Sequence, residues 1–261
     1  MSAAAVVPGR TARRWASWLF FAVMLGLTVF FLGLAKWQFD RLHWKEGLIA
    51  QAEVNMRRQP QPLLPVAQWG SIDPEAYAYS PVTATGHYLP AQSIRVFIAL
   101  GESAHREYSG AGYWIMTPFA LEGGGTVFVN RGFVPQALAT RYVGDPTAPT
   151  GTVTIRGATV ASETPSLFTP AADSAHRIDW VRDTGRLAAF LDPAAKPVAP
   201  FFIDLPAGPK GSLPQGGETT VDYTNNHLGY ALTWLGFALT TGIMLAEWVR
   251  RQQLARAGTK A

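Results

Sequence analysis

Two stretches of this chain carry no charge, and each is long enough to cross a lipid bilayer. Residues 15–35 (WASWLFFAVMLGLTVFFLGLA) form a run of 21 uncharged positions. As a helix rising about 1.5 Å per residue, that run reaches roughly 31 Å, against a hydrocarbon core of about 30 Å. Residues 228–246 (LGYALTWLGFALTTGIMLA) give 19 more. Such runs constrain the fold strongly, because hydrocarbon admits only backbones that satisfy their own hydrogen bonds. Both runs have aromatic ends, Trp15, Trp18 and Trp37 on the first and Tyr230, Trp234 and Trp248 on the second. Amphipathic rings favour the headgroup level. The first run ends in Gly33-Leu34-Ala35, which has the form of a signal-peptidase site. A signal h-region is only about 7–15 residues long, so the run reads as an uncleaved anchor.

The charges place the ends. Residues 1–35 hold Arg10, Arg13 and Arg14 and no acid, and residues 247–261 hold Arg250, Arg251, Arg256 and Lys260 against Glu247. Each tail is therefore +3, and the 15 bases and 17 acids between them leave the middle at −2. Basic residues flanking the spans put both termini in the cytoplasm and the middle on the far side. No basic stripe in the middle suits nucleic acid. The absence of cysteine excludes disulfides and thiolate metal sites.

The expected organisation is a cytoplasmic tail (1–14), a first span (15–35), a β-rich extracytoplasmic domain (36–227), a second span (228–246) and a second cytoplasmic tail (247–261). That is a membrane α+β class, with two transmembrane helices flanking a small barrel or sandwich. Gly26 and Gly33, and Gly229 and Gly236, each fall seven apart on one helical face, which suits either close packing of the two spans or simply the commonness of glycine in such helices. The helix-compatible pattern continues past the first span to about Met56, and Pro60, Pro62 and Pro65 end it. Strands are expected at 81–89, 93–100, 113–121, 126–133, 152–161, 177–182 and 201–205, with a hairpin loop at Gly123-Gly124-Gly125. Residues 184–191 read as one short helix and 192–217, outside the strand at 201–205, mostly as loop.

Catalytic signatures are missing. There is no Gly-rich phosphate loop, no H-E-x-x-H and no G-x-S-x-G. The five histidines, His43, His87, His105, His176 and His227, form no metal-ligand spacing. His227 differs by position: it follows Asn225 and Asn226 and opens the second span, with Tyr230, Ala231 and Trp234 one and two turns on. An imidazole there could ligate haem iron through an unprotonated nitrogen. It could equally be an interfacial residue behind an asparagine cap. Arg131, in the segment VNRGF, could pair with a haem propionate or hold the fold through a carboxylate. Gln38, Arg41 and Lys45 could form a polar face near the headgroups or simply anchor the helix at the interface.

Several segments, in order, resemble the Surfeit locus protein 1 family. Residues 34–45 (LAKWQFDRLHWK) are similar to its L-G-x-W-Q-x-x-R-x-x-W-K, and 112–119 (GYWIMTPF) to G-Y-W-V-x-T-P. Residues 129–135 (VNRGFVP) are similar to V-N-R-G-W-V-P, Ile155-Arg156-Gly157 and Ser162-Glu163 follow, and 225–234 (NNHLGYALTW) is similar to N-x-H-L-x-Y-A-x-T-W. Ala35 stands for the family's Gly, Phe133 for its Trp, and Ala172-Asp173 for its Asn-Asp. The resemblance implies an assembly factor, not an enzyme, that binds haem a transiently and helps insert it into subunit I of cytochrome c oxidase. His227 occupies the position of the family's haem-ligand histidine, with Tyr230, Trp234 and Arg131 as further candidates around the cofactor; the only metal involved would be the haem iron. The implied partners are subunit I, haem a synthase as a source, and the lipid bilayer. A haem-independent membrane scaffold for partly built oxidase is the alternative. The short stretch before the first span favours a bacterial inner membrane.

Overall fold

The computed structural model describes residues 10–102, 106–218 and 225–257. Its helices are α1 (Arg10–Met56), α2 (Pro74–Tyr77), α3 (Thr184–Ala188) and α4 (His227–Ala257). Its strands are β1 (Gln61–Pro62), β2 (Pro81–Tyr88), β3 (Ile94–Leu100), β4 (Gly110–Leu121), β5 (Thr126–Pro135), β6 (Val153–Ala161), β7 (Ile178–Asp179) and β8 (Val198–Asp204). The chain divides into two compact units, Met1–Gly47 with Tyr223–Ala261, and Leu48–Asp222.

The first unit is a helix pair. Ser17–Met56 and His227–Ala255 are long and apolar enough to cross a membrane. Large apolar side chains such as Val29, Phe30, Leu232, Leu239 and Ile243 are exposed along both helices, a surface that suits hydrocarbon. Gln38 meets His227, Phe31 meets Trp234 and Phe21 meets Trp248, so the helices run antiparallel. The close contacts are made by alanines: Ala35, Ala231 and Ala238 are all buried. Small side chains let helix backbones approach, as expected in lipid. The glycine spacing left open whether Gly26, Gly33, Gly229 and Gly236 do this, and the structure decides against them. A methyl group built on Gly26, Gly33, Gly229 or Gly236 would meet nothing within 4 Å. Those glycines lie off the interface, and the alanine stripe does the packing.

The second unit is built on a closed barrel. Strand order β2-β6-β8-β5-β4 returns to β2 through the pairs Gly86↔Leu121, His87↔Ala120 and Tyr88↔Phe119, which settles barrel over sandwich. Closure needs Gly86, because a Cβ there would lie 2.1 Å from the Ala120 carbonyl oxygen. Alternation along the strands fills two cores. Val82, Phe119, Val127, Val129, Phe201 and Ile203 make one. Phe128 and Phe202, on the opposite faces of β5 and β8, join Ile94, Trp114, Met116 and Leu187 in the other. β3 and β7 extend the sheet beyond β4.

The expected strands are present, with shifted bounds. The stretch expected at 177–182 shrinks to Ile178–Asp179. There the buried Asp179 carboxylate accepts from the Trp180 N–H at 2.7 Å and pairs with Arg186, which turns the chain out of the ladder. β8 begins earlier than expected and runs through Pro200. Its register against β5 shifts between Thr126 and Phe128, opposite that proline, and such an irregularity accommodates a residue without an N–H. The hairpin at Gly123-Gly124-Gly125 joins β4 to β5 as expected. α1 ends at Met56, before Pro60. Its last turns belong to the barrel unit, where the buried Asn55 amide donates to the Ala76 and Ala78 carbonyls at 3.2 and 2.9 Å.

Candidate functional site

His227 is the first residue of α4. The Asn226 carbonyl receives the Tyr230 N–H at 3.3 Å, opening the helical ladder. The Asn225 side-chain oxygen is buried and has no partner among the described residues, so it is not the helix cap. Along α4, Ala231, Trp234 and Ala238 follow His227 on the face that meets α1. Ala231 is fully buried, and Trp234 stacks on Phe31. Tyr230 is turned outward and is 57% exposed.

The imidazole is half-buried, and its Nδ1 lies 2.6 Å from the Gln38 side-chain oxygen. An amide oxygen can only accept, so Nδ1 carries a proton, and in the neutral ring it is Nε2 that holds the lone pair. Gln38 itself is only 8% exposed. It is turned to α4 and does not share a headgroup face with Arg41, whose guanidinium stacks 3.8 Å from the Trp44 ring centre on the exposed side of α1. A neutral imidazole with one nitrogen engaged and the other bare is the form that binds a metal ion or haem iron. The donor set therefore fits a haem ligand.

Sequence reasoning singled out His227 but did not join it to Gln38. Gln38 lies 189 positions away, and no local pattern joins the two. The joining signal is topological: if two spans of similar length run antiparallel, the outer end of the first must lie level with the start of the second.

Arg131 lies in the barrel unit. Its Nε donates to the Asp145 carboxylate at 3.1 Å and its terminal nitrogen to the Thr147 carbonyl at 2.9 Å. Asp145 is buried and also accepts from the hydroxyls of Thr117 at 2.7 Å and Thr147 at 3.0 Å. The carboxylate partner that a fold-holding arginine needs is thus present. Tyr88 packs beneath the guanidinium, 5.1 Å from its ring centre, and burial raises the Tyr88 hydroxyl above its ordinary pKa. Of the other histidines, His43 donates to the Phe39 carbonyl from the exposed side of α1, His87 is exposed on β2, and His176 pairs with Asp173 at 2.7 Å. His105 lies outside the described residues. Among the described residues no three His, Cys, Asp or Glu side chains gather as a metal site.

The model of the SURF1 family matches residues 25–239, a span that includes both Gln38 and His227. The chain is similar to a SURF1-like protein of Monosiga brevicollis, 30% identical over 247 residues, covering 91% of this chain and 90% of that one. It is also similar to Surfeit locus protein 1 of Rattus norvegicus, 29% identical over 252 residues, covering 88% and 76%. The Homo sapiens protein of the same name is 29% identical over 243 residues, covering 85% and 75%.

Proposed function

The chain belongs to the SURF1 family, and on that premise we propose that it is a membrane-held assembly factor for haem-copper cytochrome c oxidase, which binds haem a at His227 and helps deliver it to subunit I. The family resemblance supports the oxidase, the cofactor and the acceptor. One observation on this chain supports the ligand: the Nδ1 of His227 is held by the Gln38 oxygen at 2.6 Å, which leaves Nε2 without a hydrogen-bond partner among the described residues. Haem a would supply an iron that the Nε2 of His227 could coordinate.

What the chain does is bind and position. α4 carries His227 at its first residue, so the imidazole stands where an apolar helix begins. Haem held there would meet the apolar side chains of α4 just below the imidazole. The nearby Trp234 ring, stacked on Phe31, and the outward Tyr230 supply aromatic surface along the same helix. Delivery makes and breaks only the coordinate bond, so the role is a chaperone's and needs no catalytic group. Haem a synthase, upstream, and subunit I, downstream, are the partners in this reading, and the bilayer is the medium. A bacterial inner membrane with both termini cytoplasmic is the location proposed.

The test is a visible spectrum. The full chain is purified in detergent from cells that make haem a, and Soret absorbance per mole is compared between the wild type and His227→Ala. The wild type should carry haem and the variant should not, while both insert and fold. A variant with a full complement of haem sinks the ligand assignment. A wild type that never carries haem hands the function to the other reading, a scaffold that stabilises partly built oxidase without the cofactor.

A further inference from the structure

A buried glutamine between two apolar helices is expensive unless its polar atoms have work. Moving an amide out of water without a hydrogen bond costs about 1–3 kcal/mol on protein scales. Gln38 is 8% exposed, and its side-chain oxygen points at one atom, the Nδ1 of His227. The two residues come from different helices, α1 and α4, within one compact unit.

We propose that Gln38 is the positioning residue of this site: its oxygen holds His227 as the Nδ1-protonated tautomer so that Nε2 is the coordinating nitrogen, and its neutrality keeps that ligand weak enough for the cofactor to be handed on. The proposal rests on the reading of His227 as a haem ligand. Free imidazole has two tautomers and a ring that rotates; one buried acceptor on Nδ1 removes both freedoms. Partners on the second nitrogen of a ligating histidine are commonly carboxylates, which pull on the proton and make the ring a stronger electron donor. An amide oxygen orients as well but pulls far less. A resident cofactor gains from the stronger donor, whereas a carrier must let go. The bond also depends on helix pairing, since His227 acquires its oriented nitrogen only when α1 lies against α4.

The experiment uses the full chain in detergent with two variants, Gln38→Leu and Gln38→Glu, each checked for unchanged helix content and elution. In the haem-free protein, ¹⁵N-histidine NMR reads the tautomer, with the His227 signals identified by their loss in His227→Ala. The wild type should show Nδ1 protonated, and Gln38→Leu should move His227 toward the Nε2-protonated form. In the haem-loaded protein, Gln38→Leu should lose haem to excess apomyoglobin about 10–100-fold faster, the usual cost of removing such a partner. Gln38→Glu should lose it more slowly than the wild type and lower the reduction potential. A merely structural glutamine would not send the two variants in opposite directions. If both variants keep the wild-type tautomer, potential and release rate while His227→Ala loses haem, the positioning role is wrong and the ligand reading stands. If His227→Ala keeps its haem, the ligand reading falls and the positioning role with it.

Discussion

Phe31 lies against Trp234 with ring centres 5.8 Å apart and 19° between the planes, a stacked pair that links the middle of one apolar helix to the other. Above it Ala35 and Ala231 close the gap, and below it the Thr28 hydroxyl donates to the Thr241 hydroxyl at 2.9 Å. Packing along this seam, not the hydrophobic effect, must hold two such helices together in lipid. The chain has no cysteine, so a pair introduced as Thr28→Cys with Thr241→Cys reports the seam cleanly. Mild oxidation should join the pair. Adding Ala231→Phe should wedge the helices apart and abolish most of the disulfide. Gly33→Leu or Gly236→Leu should leave it unchanged, because those positions face open space. The reverse pattern would return the interface to the glycines.

Arg131 and Asp145 separate two roles that the sequence left open. Their side chains are 13% and 0% exposed, and the carboxylate serves Thr117 and Thr147 as well. Removing one partner strands a buried charge, which typically costs about 3–5 kcal/mol. Arg131→Ala should therefore lower the thermal unfolding temperature of the barrel sharply. Arg131→Lys keeps a positive charge but loses the guanidinium's separate reach to Asp145 and the Thr147 carbonyl, so it too should destabilise. Per mole of folded protein, the Arg131→Lys variant should keep its haem at His227. Wild-type stability combined with lost haem would favour the propionate role.

Barrel closure makes a sharper steric prediction. A side chain at Gly86 would collide with backbone, not with a flexible tip, since the Ala120 carbonyl oxygen lies 2.1 Å from the Cβ position. Backbone must shift to admit even alanine, and overpacking of this kind costs about 1–3 kcal/mol. Gly86→Ala should speed proteolysis of the barrel unit, and Gly86→Val more so. Gly123→Ala, in the open hairpin loop with nothing near its Cβ, is the control.

How much was legible follows from the range of each signal. The two apolar helices rest on length and charge alone, and both are present. Most strands rest on alternation, and Val127, Phe128 and Val129 do divide between the two cores. The choice of barrel over sandwich rests on β2 pairing with β4 across an intervening β3, a long-range contact that alternation does not encode. At the candidate site, the place of His227 at a helix start was legible, because an imidazole before an apolar run is conspicuous. Gln38 was not, because a glutamine near the end of a span looks like simple anchoring until the opposite helix is beside it. The glycine spacing could not decide the interface, because glycine is common in membrane helices for reasons other than packing. Here alanines took that role.

Charge is the ground for the proposed arrangement of the termini. Arg13 and Arg14 precede the first apolar run, Arg250 and Arg251 follow the second, and the intervening segment is net negative. Loops rich in Lys and Arg near span ends stay on the cytoplasmic side. Antiparallel pairing of α1 with α4 is what two spans with both ends on one side require. A reporter active only outside the cytoplasm, fused after Gly151 in the tight turn that precedes β6, should be active, and the same reporter fused after Ala261 should be silent. Gly151 suits the insertion, since its φ of +76° marks a turn and a Cβ there would meet nothing. Intact-mass measurement of the purified protein should also find residues 15–35 still attached, because the run exceeds the length of a typical signal. A mature chain beginning at Lys36 would remove Phe31 and Thr28 from the helix pair, leave α4 without its partner along most of its length, and overturn the two-span arrangement. An active reporter at Ala261 with a silent one at Gly151 would invert it.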